Sequence, residues 1–283
     1  MPNLKTLRKR ISTVQSTQQI TKAMKMVSAA KLRRAQEAAE RARPYADKLA
    51  EMLVAVAAEA GVDAHPLLAR REERRIDVVV ITSDRGLCGG YNANIVRQAA
   101  SLLARSDQEA AALAVGRKAL EALRRRGTTL LSDRTGIAQM VPAELAAGVA
   151  DEVTGRFLGG QTDAVYLVYS KFRSAISQIP STVPLLPVSL PETSGPTIEY
   201  IFEPPKPELL GALLPAYIRT QVLQALLESI ASEHGARMTA MDNATNNASD
   251  MIERLTLSMN RARQATITTE LMEIVSGAEA LKG

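Results

Sequence analysis

The chain has 283 residues, enough for one large domain or two small ones, and 46 % of them are hydrophobic while aromatics supply only 3 % and Trp is absent. Ala and Leu take their place, a composition that favours long helices with close-packed seams over a bulky core. The net charge of +5 is uneven: residues 1–43 hold eleven Lys or Arg against Glu37 and Glu40, a local +9 that leaves −4 for the remainder. A single cysteine, Cys88, excludes an internal disulfide framework and fits a reducing compartment. No stretch approaches the roughly 18 uninterrupted apolar residues of a membrane span, and MPNLKTLRKR lacks the apolar core of a secretory signal.

In chain order, the first element reads as one helix from about Leu4 to Glu59, with Pro44 its only interior breaker. Leu4, Leu7, Ile11 and Val14 follow a 3-4-3 seam. The stripe is then expected to shift to Ile20, Met24 and Val27, leaving Gln18 and Thr21 in the old register. About 55 helical residues at 1.5 Å each make a rod of about 80 Å, longer than a compact domain of this size needs. Its basic face could meet nucleic acid, anionic lipid or an acidic protein, or be a solvated face. The lack of nearby aromatics lowers the single-stranded nucleic-acid reading.

Arg70–Arg75 is a short charged linker. Residues 76–203 then alternate strand-like and helical patterns: strands at Ile76–Thr82, Ala111–Val115, Ala164–Tyr169, Val183–Leu190 and a short one at Thr197–Phe202, with helices at Asn94–Ala104, Arg117–Arg126 and Pro142–Leu158. This predicts an open α/β sheet with crossover connections. The Pro-rich stretch 180–196 is expected along a sheet edge. After Pro204, Pro205 and Pro207 a second long helix runs from about residue 208 to the end, and Pro215 either kinks it or marks its start. Met238, Met241, Thr245, Ala248, Ile252, Leu255, Met259, Ala262 and Thr266 alternate spacings of 3 and 4, a seam of small and flexible residues that lets two backbones approach. The fold class is therefore an α/β, Rossmann-like open domain (76–203) inserted between two long terminal helices (1–59 and 208–283) that pair as an antiparallel coiled coil.

The loop SDRGLCGGYN, residues 83–92, follows the first strand and tests for nucleotide binding. A Walker loop needs a Gly-Lys-Ser/Thr ending, and no Gly-Lys pair occurs in the chain. Gly86, Gly89 and Gly90 also miss the G-x-G-x-x-G spacing of a dinucleotide fold. Glycine here is better read as serving a sharp strand-to-helix turn, with Asp84 and Arg85 as a loop-fixing ion pair. Cys88 lacks a base, because His65 and His234 are the only histidines and lie in a loop and on the long helix. Two such histidines make no metal site. No catalytic residues, cofactor or metal are expected.

The stretch ARQATITTELMEIVSGAEA, residues 262–280, resembles the signature of the gamma subunit of F-type ATP synthases: Ile267-Thr268-x-Glu270-x-x-Glu273-x-x-x-Gly277-Ala278-x-Ala280. RISTVQSTQQITKAMKMVSAAKLRRAQ, residues 10–36, and SDRGLCGGYN look like that family's two other hallmark segments, and the resemblance covers the whole chain. It implies a non-catalytic central rotor shaft. The paired helices would rise through a ring of alpha and beta subunits, with the α/β body on the epsilon subunit and the membrane c-ring. Ion flow through that ring would drive the beta sites through their conformations for ATP synthesis or hydrolysis.

The same resemblance implies roles for single residues. Met24, Lys25, Lys31, Arg33, Arg34 and Cys88 would face the acidic lever of the beta subunits, where charges act over about 8 Å at physiological salt. Arg263 and Gln264 would hydrogen-bond a beta loop. Ile267, Thr268, Glu270, Glu273, Gly277 and Ala278 carry the coupling signature. Tyr200 and Glu203 would rest on the c-ring or epsilon, although a plain edge strand would look similar. Membrane association would come only through the complex, at the cytoplasmic face of a bacterial inner membrane, with no nucleic-acid partner. Rival readings are a nucleotide-dependent α/β enzyme and a coiled-coil adaptor with a basic arm.

Overall fold

The computed structural model describes residues 4–60, 65–104, 108–189 and 205–280. The chain divides into two compact units, residues 1–27 with 238–283, and residues 28–237. Both boundaries fall inside long helices, α1 (Leu4–Ala60) and α5 (Lys206–Ala280).

The larger unit holds a five-stranded sheet. Its strands are β1 (Arg75–Ile81), β2 (Glu109–Val115), β3 (Thr129–Arg134), β4 (Ala164–Phe172) and β5 (Gln178–Leu186), in the spatial order β3-β2-β1-β4-β5. The first four are parallel and β5 runs antiparallel at the edge. Helices α2 (Tyr91–Leu103), α3 (Arg117–Arg125) and α4 (Pro142–Leu158) provide the crossovers. Central β1 is apolar on both faces, as a strand covered on both sides must be. Ile76, Val78 and Val80 pack with Ile95, Ala99, Leu120 and Leu123 of α2 and α3. Val79 and Ile81 pack with Val149, Val153 and Phe157 of α4, with Leu53 and Val56 of α1, and with Leu214, Ile218 and Val222 of α5. The parts of the long helices in this unit are thus core elements of the α/β body, buried on the sheet.

Both helix prolines lie inside continuous helices. Pro44 lies inside a continuous α1 on its exposed side, where the carbonyl that loses its donor can be solvated. Pro215 neither starts nor ends α5, which begins at Lys206. In β5, Pro180 and Pro184 are accommodated because an edge strand has one side whose N–H groups need no partner. The predicted β-strand at Val183–Leu190 is instead Gln178–Leu186, and the expected short strand at Thr197–Phe202 lies outside the described residues. β3 escaped the sequence reading because TLLSDR is polar and short, as an opposite-edge strand is free to be.

A charge is buried where sequence gave no warning. Asp77 of β1 is 3 % exposed and receives Arg156 of α4 at 2.7 and 3.3 Å. Burial pushes the Asp77 carboxyl up, and the guanidinium opposes that shift. Removing Arg156 alone would strand the charge.

The smaller unit is the antiparallel pairing of the two terminal segments. Lys25 Nζ meets Asp242 Oδ1 at 2.6 Å, Thr21 Oγ1 meets Thr245 Oγ1 at 2.8 Å, and Gln18 Nε2 donates to Ser249 Oγ at 2.6 Å. Met241 and Ala248 are buried, and Met238, Thr245, Ile252, Leu255, Met259 and Ala262 are half-buried, so the α5 seam holds up to Ala262. Thr266, its last predicted member, is exposed.

On α1 the predicted shift of register does not occur. Thr21 and Ser28 are 8 % and 3 % exposed, whereas Ile20 and Val27 are 60 % and 56 % exposed. Gln18 and Thr21 keep the seam because each finds a partner across it, and small side chains let the helices approach.

Candidate functional site

The glycine loop joins β1 to α2 and is held by side-chain hydrogen bonds. Ser83, fully buried, donates its N–H to Asn92 Oδ1 at 3.0 Å, and its Oγ lies 2.6 Å from the Arg85 carbonyl. Asn92 Nδ2 donates to Cys88 Sγ at 3.1 Å. Arg237 of α5 donates to the carbonyls of Arg85 and Gly86 at 3.4 and 3.2 Å. A phosphate cradle aims N–H groups into an open cup. Here carbonyls converge on a guanidinium instead.

Leu87 takes φ +63 and stands 65 % exposed at the tip, a strained geometry for a side chain with a Cβ. Cys88 is 2 % exposed, and burial raises its thiol pKa. Packing turns the Cys88 thiol inward, and Leu87 and Arg85 are the large exposed side chains of the loop. Asp84 and Arg85 form no ion pair among the described residues. Asp84 Oδ1 instead accepts the backbone N–H groups of Arg117 and Gly136 at 3.1 and 3.0 Å.

Along α5, three polar contacts tie the helix to α2, to β4 and to the glycine loop. Tyr91 OH meets Ser229 O and Oγ at 3.0 and 2.7 Å, Ser232 Oγ donates to Ser170 O at 2.9 Å, and Arg237 grips the loop. Gly235 lies between the last two, where a Cβ would come within 3.4 Å of the Ala175 backbone. Glu233 accepts from Arg237 at 2.6 Å. Burial raises the Glu233 pKa, and Arg237 opposes it. None of this network was visible beforehand, although Glu233 and Arg237 do have the i, i+4 spacing of a helical pair.

His234 lies among Arg237, Lys31 and Glu233, and burial followed by the two cations lowers its pKa to about 4. The folded protein therefore keeps it neutral while the unfolded chain takes up a proton near the ordinary value of 6.5. Its contribution is full above pH 6.5 and is lost as pH falls toward 4. His234→Gln should flatten that acid limb, read as the difference between variant and parent urea midpoints at pH 7.5 and 4.5. Equal differences at both pH values would contradict the assignment.

The basic residues of α1 divide. Lys25 is half-buried and engaged with Asp242, so part of its charge is already answered within the chain, and Met24 beside it is half-buried. Lys31, Arg33 and Arg34 are exposed, with Arg33 held 3.0 Å from Glu37. Such surface pairs are worth about 0–1 kcal/mol and leave these cations available. Tyr200 and Glu203 lie outside the described residues.

Arg263, Gln264, Ile267, Thr268, Glu270, Glu273, Gly277 and Ala278 are all exposed along the last part of α5. The antiparallel register set by the 25–242, 21–245 and 18–249 pairs brings Leu4 level with about residue 263. Every described position from Thr266 to Glu279 is exposed, including Ile267, Leu271, Met272, Ile274 and Val275 at 54, 58, 57, 71 and 49 %. Among the described residues no metal-binding cluster occurs, and no helix is long and apolar enough to cross a membrane.

Comparison with known proteins agrees with this architecture. The family model described as ATP synthase matches residues 3–281. The ATP synthase gamma chain of Anaeromyxobacter sp. (strain Fw109-5) is 53 % identical over 290 residues, and that of Pelotomaculum thermopropionicum 51 % over 284, each alignment covering 100 % of both chains. Among solved structures, a chain of the Tetrahymena thermophila mitochondrial ATP synthase central stalk and c-ring is 31 % identical, with a TM-score of 0.59 over 80 % of this chain and 99 % of that one. With seam, inserted sheet and terminal signature matched from end to end, the chain belongs to the family of ATP synthase gamma chains.

Proposed function

We propose that the chain is the central rotor shaft of an F-type ATP synthase, coupling ion flow through the membrane c-ring to conformational cycling of the catalytic beta subunits, and that it performs no chemistry itself. The observation that carries this reading is the last part of α5. A helix of some fourteen residues (266–279) with five large apolar side chains exposed is marginal alone in water and calls for a surrounding partner. A ring of alpha and beta subunits with an apolar inner wall would supply one. Ile20 and Val27, seven residues apart and so on one face of α1, are outward apolar positions of the same kind.

In this reading Lys31, Arg33 and Arg34 meet acidic groups of the beta subunits, Met24 and Lys25 sit where the shaft passes them most closely, and the loop around Cys88 makes a further contact through its exposed Arg85 and Leu87. Arg263 and Gln264 bind a beta loop, and the signature from Ile267 to Ala278 turns within the ring. Tyr200 and Glu203 belong to the foot on epsilon and the c-ring. The similarity to a chain of the Tetrahymena central stalk and c-ring supports a place in the central stalk. The complex would hold the chain at the cytoplasmic face of the bacterial inner membrane, without nucleic acid. The test is purification of the tagged chain from detergent-extracted membranes. Alpha, beta, epsilon and c subunits should accompany it, and elution of the chain without alpha and beta would reject the shaft.

A further inference from the structure

The glycine loop carries three features that a plain strand-to-helix turn does not need. Leu87 is left-handed, the Arg85 carbonyl is approached by Ser83 Oγ at 2.6 Å, Arg237 at 3.4 Å and Asn92 at 3.5 Å, and the clamp comes from α5, some 150 positions away in sequence. Arg237 is 9 % exposed, and its guanidinium is divided between two tasks: one terminal nitrogen meets Glu233 at 2.6 Å, and the other meets the Arg85 and Gly86 carbonyls. A planar fork can do both at once, whereas a lysine ammonium would reach one side. Glu233, itself largely enclosed, fixes the guanidinium plane.

We infer that Arg237 is a positioning residue, oriented by Glu233, that locks the loop 83–90 onto α5 so that Leu87 and Arg85 move with that helix as one rigid tooth. Without the lock, the tip would keep the bonds of Asn92 and Ser83 but lose its tie to α5, and the strained Leu87 would have a local route to relax. The inference rests on the shaft reading only for its consequence, that a turn of α5 is delivered to whatever the loop touches. The lock itself is a property of the chain alone.

Cys88 reports on it, being the only cysteine and buried beneath the tip. N-ethylmaleimide is added to the purified full chain under native conditions, and modification of Cys88 is followed by mass spectrometry. Arg237→Ala should raise the rate about tenfold or more, the effect of losing hydrogen bonds from a charged group. Arg237→Lys should fall between variant and parent. Arg219→Ala, which removes an exposed contact to Asp151, should label at the parental rate. The accelerated rate should depend little on low urea, as local opening does and global unfolding does not. Parental labelling of Arg237→Ala overturns the inference, as does an increase that Arg237→Lys shares in full.

Should Arg237→Ala fail to fold, Glu233→Gln keeps the shape and frees the guanidinium. Labelling about threefold faster supports the lock, and an unchanged rate overturns it. In the assembled enzyme, Arg237→Ala should also lower proton pumping per ATP. Faster labelling with unchanged pumping keeps the lock and rejects only the role given to the loop.

Discussion

Arg263→Ala combined with Gln264→Ala should reduce ATP hydrolysis by the purified complex at least about tenfold, while the complex still assembles and the chain keeps its thermal midpoint. Both side chains are exposed on α5, at the level of Leu4, where α1 begins. Neither takes part in a side-chain hydrogen bond or ion pair among the described residues, and Ala is the better helix former. Folding therefore has little to lose. A partner loop has much to lose, because hydrogen bonds made by a charged group are worth about 1.5–3 kcal/mol each, and one such bond alone accounts for a factor of ten or more. The measurement is steady-state hydrolysis alongside subunit stoichiometry. Parental turnover in the fully assembled variant would remove both residues from the proposed contact.

Gly116→Ala should be the most damaging single methyl in the α/β unit, costing about 3 kcal/mol or more. Gly116 has φ +95, and a Cβ there would stand 2.4 Å from the Thr82 carbonyl oxygen and 2.8 Å from its carbon. That backbone cannot retreat cheaply. Thr82 N–H donates to Val115 O at 2.8 Å, Thr82 Oγ1 accepts from Ala119 N–H at 2.7 Å, and Gly116 N–H donates to Arg134 O at 2.7 Å. The contacts join β1, β2, β3 and the first turn of α3, so relief at one point disturbs all four. A lowered urea midpoint with an unchanged slope is the expected result. A midpoint within error of the parent would show that the turn yields more easily than its hydrogen bonds imply.

Much of this molecule is legible residue by residue. The run Ile76–Thr82 read as a strand and is found as Arg75–Ile81, and the helical pattern at Pro142–Leu158 is found with those bounds as α4. The seam from Met238 to Ala262 follows from spacing alone. Reading failed where a local rule met a partner it could not see. Ile20 and Val27 looked like seam residues because they are apolar, yet Gln18 and Thr21 hold the seam against Ser249 and Thr245. In the glycine loop the spacing of Gly86, Gly89 and Gly90 is plain from the residues, but the inward turn of Cys88 is not.

Sequence by itself determined the two long helices, the alternating α/β insert, the seam on α5 and the family, because each depends on periodicity or on a motif carried by neighbouring residues. Only the tertiary structure decided which stripe of α1 is buried, that Asp77 lies against Arg156, and that Arg237 reaches the loop carbonyls. Those outcomes turn on distances between residues far apart in the chain, where a buried polar group must find its partner or bear the cost of desolvation, and no local pattern encodes that pairing.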